Sequence, residues 1–516
     1  MILHKRIVIT GFTAICIFCS CQPKSMPENP NIIIIMADDL GYGDVGAYGA
    51  KKENVKTPNI DKLAEGGLKF TSGYCSASTC TPTRYSFLTG SYAFRESNTG
   101  IAPPNAPAII KPGTETIASL LKKAGYKTAV IGKWHLGLGG PEGPDWNGDL
   151  KPGPREIGFD FNFLLPTTND RVPQVYVQNH RVKNLDPSDP LWVGHEKPSE
   201  KHPTGITHRN TLRMNWNDGH NNTIHNGIGR IGFYTGGHTA RFRDEDLADE
   251  WQRQANKWIE ENKDNPFFLF FSSHDIHVPR MPHERFQGKS GMSYRGDAIV
   301  QLDWNVGEIM KTLDRLNLKK NTLVIFVSDN GPVLDDGYDD FANEQLGDHK
   351  PAGPYSGGKY TVREGGTRIP FITYWENIIQ PGISKEMVST IDLPASMAAL
   401  TGIDLPNDGV LDSFNVLDAL LGKRGAKGRQ YIVSQDNGRK GNYGLRDGNW
   451  KLQRHDAKRM YNGDLSMDSW TVPQYTLFNL DKDIAEANDV SKDYPQITER
   501  LKDQLQSIID RGKTRF

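Results

Sequence analysis

An α/β fold is predicted: a large mixed, mainly parallel sheet flanked by helices, then a smaller C-terminal α+β domain with an antiparallel sheet. Three observations predict it. Residues 31–36, 128–131, 266–271 and 323–327 are short apolar runs of strand length without polar alternation, as expected of strands buried on both faces. Segments of helical period lie between them, at 245–262 and 298–316 among others. After a basic, glycine-containing linker at 422–427 the runs become short, as in an antiparallel sheet. A chain of 516 residues can hold both units, and the expected bounds are 29–421 and 428–516.

The start of the chain stands apart. His4, Lys5 and Arg6 precede an apolar run, 7–18, too short to span a bilayer comfortably. It ends in Phe18-Cys19-Ser20-Cys21, which resembles a bacterial lipoprotein signal with Cys21 as the lipidated residue. An ordinary secretory signal is the alternative. Both predict export; the first predicts a periplasmic or cell-surface lipoprotein that touches the membrane only through its lipid anchor. The formal net charge of −1 gives no global basic field, which argues against nucleic acid as a partner. Of five cysteines, at 16, 19, 21, 75 and 80, only Cys75 and Cys80 lie beyond the signal region 1–21. An oxidising compartment would allow them to form a disulfide. No zinc-ligand spacing is present.

In chain order, the run 31–36 ends in Asp38 and Asp39. Two adjacent carboxylates after a central strand need a positive partner; a turn with an aspartate cap is the plainer reading. Thr57-Pro58-Asn59 opens a short helix to Ala64, stopped by Gly66-Gly67. Thr114 is placed to cap a helix over 115–124. The strand 128–131 runs into Gly132-Lys133-Trp134-His135, which puts Lys133 and His135 on one side if extended, or forms a solvated loop. Residues 140–240 are rich in Gly, Pro, Asn and His, the composition of long binding loops; within them Asp170 and Arg171 suit a hydroxyl and an anion, or a surface turn. The run 266–271 ends near His274 and His277, and 323–327 ends at Asp329 and Asn330. A strand at 371–374 and a helix at 393–400 close this domain. Strands at 431–433, 443–445, 450–452 and 475–480 and a helix at 497–509 form the second.

Four polar segments thus follow buried strands: Asp38/Asp39, Lys133/His135, His274 and Asp329/Asn330. In open α/β sheets ligands bind beyond the carboxyl ends of the strands, so these residues are expected to converge. One stretch gives them a centre: Cys80-Thr81-Pro82-Thr83-Arg84-Tyr85-Ser86-Phe87-Leu88-Thr89-Gly90. Pro82 biases Thr81 away from helix, which places Cys80 on a bend, and Arg84 returns near it if a helix follows. A buried thiol beside a helix start is the plainer reading.

This stretch resembles the signature Cys-x-Pro-Ser-Arg-x-x-Leu-x-Thr-Gly of formylglycine-dependent sulfatases, with Thr83 for the usual serine and Phe87 for the usual leucine. The resemblance spans nearly the whole mature chain and implies the alkaline-phosphatase-like fold. It implies that a formylglycine-generating or anaerobic sulfatase-maturating enzyme oxidises Cys80 to formylglycine. It further implies one calcium ion held by Asp38, Asp39, Asp329, Asn330 and residue 80, hard oxygen donors that suit this ion. Arg84, Lys133, His135, His274 and Lys359 would surround the sulfate, with His277 beside them. In that scheme a hydroxyl of the hydrated aldehyde attacks sulfur, His274 or Lys359 protonates the departing alcohol, and His135 helps expel sulfate. The segments 167–175 and 226–237 resemble carbohydrate-active sulfatases, implying a sulfated saccharide substrate, a 6-O-sulfated galactose or N-acetylgalactosamine unit. Two other readings stay open: a phosphate or phosphonate monoester hydrolase, and a non-catalytic lipoprotein that binds sulfated glycans.

Overall fold

The computed structural model describes residues 26–437, 442–456, 461–462, 467–468 and 473–515. The signal region and Cys21 lie outside them. A ten-stranded sheet organises the larger domain. Its strands run in the order Gly382–Ser389, Leu68–Tyr74, Phe371–Tyr374, Thr322–Ser328, Asn31–Ala37, Phe267–Ser272, Lys127–Lys133, Phe161–Leu165, Val177–Gln178 and Arg181–Val182. The five from Thr322–Ser328 to Phe161–Leu165 are parallel, and the four apolar runs of the sequence lie among them.

Alternation explains those runs. Ile32, Ile34 and Met36 enter one hydrophobic cluster with Phe268, Phe270 and Ile325. Ile33 and Ile35 enter another on the opposite face with Leu269, Phe271 and Phe326. Each such side chain contributes about 1.5–3 kcal/mol when fully buried. Strands Leu68–Tyr74 and Gly382–Ser389 were not predicted. They are the outermost two strands on one side of the sheet, with Gly382–Ser389 at the edge, and their sequences, LKFTSGY and GISKEMVS, mix polar with apolar residues.

The helix Ile117–Lys123 starts later than expected. Thr116, not Thr114, caps it: its hydroxyl accepts the Ser119 N–H at 3.1 Å, and the Ser119 hydroxyl accepts the Thr116 N–H at 2.8 Å. The helix Ser293–Arg315 starts five residues earlier than the 298 expected. Among the described residues no helix is long and apolar enough to cross a membrane.

The C-terminal part forms the expected four-stranded antiparallel sheet, Tyr431–Gln435, Tyr443–Asp447, Trp450–Arg454 and Tyr475–Asn479. The helix Pro495–Asp510 packs Leu501 and Leu505 on Val433, Leu445 and Leu452. The first strand of this sheet also grips the segment before Cys80: Ser78 N–H donates to Gln435 O at 2.8 Å and Gln435 N–H to Ser76 O at 3.1 Å.

Candidate active site

Cys80 opens the helix Cys80–Thr89 instead of sitting on a bend. Pro82 falls in the first turn, where its missing N–H costs nothing. Every residue of this helix is buried, Arg84 included. Cys75 and Cys80 are both free thiols, so no disulfide consumes residue 80. Burial pushes the Cys80 thiol up, although Lys133 and Lys359 pull the other way.

The floor of the site is a set of fully buried charges. Arg84 donates from Nε to Asp329 Oδ2 at 3.0 Å and from Nη1 to Ser272 Oγ at 2.5 Å. Lys133 pairs with Asp38. Lys359 donates to Asp39 at 2.9 Å, and Asn330 Nδ2 donates to Asp39 Oδ1 at 2.7 Å. Asp39 N–H donates to Asp329 Oδ1 at 3.2 Å. Burial, with Asp329 close by, raises the Asp38 carboxyl well above its ordinary range. Burial acts likewise on Asp39, but Lys359, Lys133 and the Asn330 bond outweigh it and hold Asp39 low. Asp39 has φ 59°, His135 φ 53° and Tyr360 φ 72°, left-handed backbone that non-glycine residues seldom adopt and that clusters at functional sites.

This floor fits a hard divalent cation. Asp38 Oδ1 and Asn330 Oδ1 are buried and accept no hydrogen bond. Asp38, Asp39 and His277 each offer one ligand atom, all within 4.8 Å of one another. Carboxylate and amide oxygens dominate the set, which suits calcium better than zinc.

The histidines divide. His135 Nδ1 lies 3.1 Å from Cys80 Sγ, while its Nε2 lies 3.1 Å from Ala102 O. A carbonyl only accepts, so Nε2 carries the proton and Nδ1 offers its lone pair to residue 80. Burial, then Lys133 and Arg171, hold His135 well below its ordinary pKa, hence neutral. His277 Nδ1 donates to Val278 O at 2.7 Å, which leaves Nε2 directed at Asp39, 3.9 Å away. Burial and then Lys359 keep it neutral too. His274 is turned elsewhere. Its Nδ1 accepts from Trp251 Nε1 at 3.1 Å, and its Nε2 lies 3.5 Å from Asp275. The structure brings His277 to the acidic floor and leaves His274 in a polar network behind it. That network supports the floor, because Asp38 N–H donates to Asp275 O at 2.8 Å and Ile276 N–H to Asp38 O at 2.6 Å.

Loops build the rim. Arg171 Nη1 donates to Asp170 Oδ2 at 2.8 Å, and His220 Nε2 meets the same oxygen at 3.0 Å. Asp170 is held low against its burial by Arg171, His277 and His220. Asp336 accepts from Lys359 Nζ at 2.7 Å and from the Tyr360 hydroxyl at 2.9 Å. His220, Asp336 and Tyr360 went unnoticed in the sequence. The strand-end pattern cannot reach loop residues, and only the adjacency of Tyr360 to Lys359 could have marked one of them.

The sequence model of the sulfatase family matches residues 30–403. The chain belongs to the sulfatase family. The N-acetylgalactosamine-6-O-sulfatase of Bacteroides thetaiotaomicron is 46% identical over 505 residues, 96% of this chain and 98% of that protein. Human arylsulfatase A is 33% identical over 428 residues, 82% of this chain and 74% of that one. A Bacteroides thetaiotaomicron structure from work on the metabolism of multiple glycosaminoglycans superposes with a TM-score of 0.90 at 46% identity, over 94% of this chain and all of that one. The phosphonate monoester hydrolase of Agrobacterium radiobacter, at 17% identity and a TM-score of 0.57 over 93% of this chain and 95% of that one, shares the fold alone. This sulfatase is a sulfuric ester hydrolase, which displaces the phosphonate-hydrolase and non-catalytic readings.

Proposed function

We propose that this sulfatase removes the 6-O-sulfate of a galacto-configured sugar, N-acetylgalactosamine or galactose, within a sulfated polysaccharide or glycosaminoglycan. One observation carries the sugar: a relative aligned over almost the whole of both chains, at 46% identity, is an N-acetylgalactosamine-6-O-sulfatase. The Asp170–Arg171–His220 rim supports it, since a carboxylate, a guanidinium and an imidazole together suit sugar hydroxyls.

Residue 80 is read as the formylglycine site, matured by a formylglycine-generating or anaerobic sulfatase-maturating enzyme. Hydrated formylglycine would supply two geminal hydroxyls, one to attack sulfur and one to release sulfate afterwards. Asp38, Asp39, Asp329 and Asn330 would hold calcium, with His277 beside them, and the ion would supply Lewis-acid charge stabilisation. Lys133 and Lys359 place two ammonium groups where sulfuryl oxygens gather charge. Arg84 fixes Asp329 and packs the nucleophile helix against the strand ends. His135 accepts a proton from residue 80 through the lone pair of Nδ1. Protonation of the leaving alcohol passes from His274 to Lys359, whose ammonium carries protons at the floor, while the neutral His277 faces the floor with the lone pair of Nε2. The exported, lipid-anchored state at Cys21 suits scavenging of extracellular glycans.

Sulfate release from a panel of defined sulfated sugars tests the substrate. Release from a galacto-configured 6-sulfate is expected; activity confined to other positions or to gluco-configured sugars would discard the sugar assignment. Mass spectrometry of the Cys80 peptide from the native host tests the modification.

A further inference from the structure

Besides the part-exposed Tyr360, three charged or titratable side chains of the site reach solvent. Asp336, Arg171 and His220 are 18%, 17% and 11% exposed, whereas Lys359 and His277 are 2% and Asp170 is 3%. Exposed groups of this kind are available to a bound sugar outside the buried floor. Arg171 and His220 both direct a nitrogen at Asp170. Asp336 is a part-exposed carboxylate beside Lys359, one of the two ammonium groups proposed to meet the sulfate.

Such a group opposes the substrate's charge unless it has another task. Lys359 already has a carboxylate partner in Asp39 at 2.9 Å. Asp336 is nevertheless fixed in place. Its two oxygens take Lys359 Nζ at 2.7 Å and the Tyr360 hydroxyl at 2.9 and 3.2 Å. Its loop is tied to the interior by buried Arg280, which donates to Val333 O and Leu334 O, each at 2.8 Å, and to Asp340 at 2.6 Å. Tyr360 reaches Asp336 from a left-handed backbone, at φ 72°, that an aromatic residue rarely accepts. A rigid, half-screened carboxylate accepts hydrogen bonds from neutral hydroxyls and repels anions.

We propose that Asp336 is a specificity residue: it accepts a hydroxyl hydrogen bond from the sulfated sugar and rejects sugars bearing a second anionic group there. The inference rests on the sugar-sulfatase reading and deepens it.

The test uses matured enzyme, wild type, D336N and D336A. The kcat/KM is measured on a 6-O-sulfated monosaccharide and on the same sugar carrying a second sulfate at each other hydroxyl in turn. The disulfated-to-monosulfated ratio should rise at least about tenfold in D336N for one or more isomers. The ratio is taken within one protein, so any displacement of Lys359 common to all substrates cancels. Calorimetric affinities in a Cys80→Ser background should show the same change for the same isomers, independent of turnover. Ratios within about twofold of wild type for every isomer, in both variants, overturn the inference. A wild type that releases sulfate from no sugar overturns the sugar reading, and this inference with it.

Discussion

The floor and the rim of this site are built differently. The floor comes from strand ends: Asp38 and Asp329 follow two neighbouring parallel strands, Lys133 ends a third strand of the same parallel set, and all are fully buried. Their charges are paired within the protein, so each depends on the others. The rim comes from loops: Asp170, Arg171, His220 and Asp336 lie in 166–241 and 331–363, away from the central strands, and the last three keep solvent contact. Damage to the floor should therefore spread into stability, whereas damage to the rim should stay in substrate affinity.

Arg84 gives the largest expected effect. Arg84→Ala leaves Asp38 and Asp329 buried without their guanidinium, a loss of about 3–5 kcal/mol, and sulfate release should fall at least about a thousandfold. Cys80→Ser is the contrast: activity is lost while the melting temperature barely moves. If Arg84→Ala melts like wild type, the floor is not the coupled unit described here. Chelation probes the same floor from its ligand side. Removing a calcium ion held at a hundred times its dissociation constant costs about 2.7 kcal/mol. Thermal scans with EGTA should show a lower melting temperature, restored by calcium and not by zinc; an unchanged melting temperature would remove calcium from the proposal.

The same contrast decides what was legible in the sequence. Asn31–Ala37 and Thr322–Ser328 bury both faces, so their apolar runs named the strands and the residues after them named the floor. The family signature marked residue 80, but it did not name the helix there: Cys80 was expected on a bend, with a helix after it only as a condition. The rim offered no periodicity: Asp170 and Arg171 stood out only as a charged pair, and His220 is one histidine of a histidine-rich stretch. His274 and His277 follow the same strand, and spacing could not say which faces inward. Trp251, from a helix before that strand, holds His274 back by a hydrogen bond that no local pattern shows.

Arg171→Ala tests the rim. Its guanidinium bonds Asp170 but supports no strand, so kcat/KM should fall about 10–100-fold, chiefly through KM, with stability within about 0.5 kcal/mol of wild type. A fall in kcat alone would place Arg171 with the floor. His274→Gln lies between the two regions. It keeps a hydrogen-bonding group near Trp251, and kcat should drop only about tenfold with the pH profile unchanged. Loss of the acidic or basic limb of that profile would return His274 to proton transfer.

The smallest effect comes from Asp44, behind the floor. Arg295 grips its carboxylate at 2.6 and 2.8 Å, and His349 Nε2 lies 2.8 Å from it. Burial alone would raise its pKa, but Arg295 and the His349 bond hold it at about 2, against 3.8 for the free group. A folded pKa below the unfolded one stabilises the fold above pH 3.8 and loses that contribution as pH falls through 3.8 toward 2. The difference amounts to about 2 kcal/mol, and only a fraction is lost by pH 4. Asp44 also accepts the Gly41 N–H at 2.7 Å, so it steadies the turn that follows Asp38 and Asp39. In fixed-rate thermal scans, Asp44→Asn should melt lower than wild type at pH 7, and the gap should narrow as pH falls below 4. A gap that stays constant across that range would mean that the Asp44 charge is not what stabilises the turn.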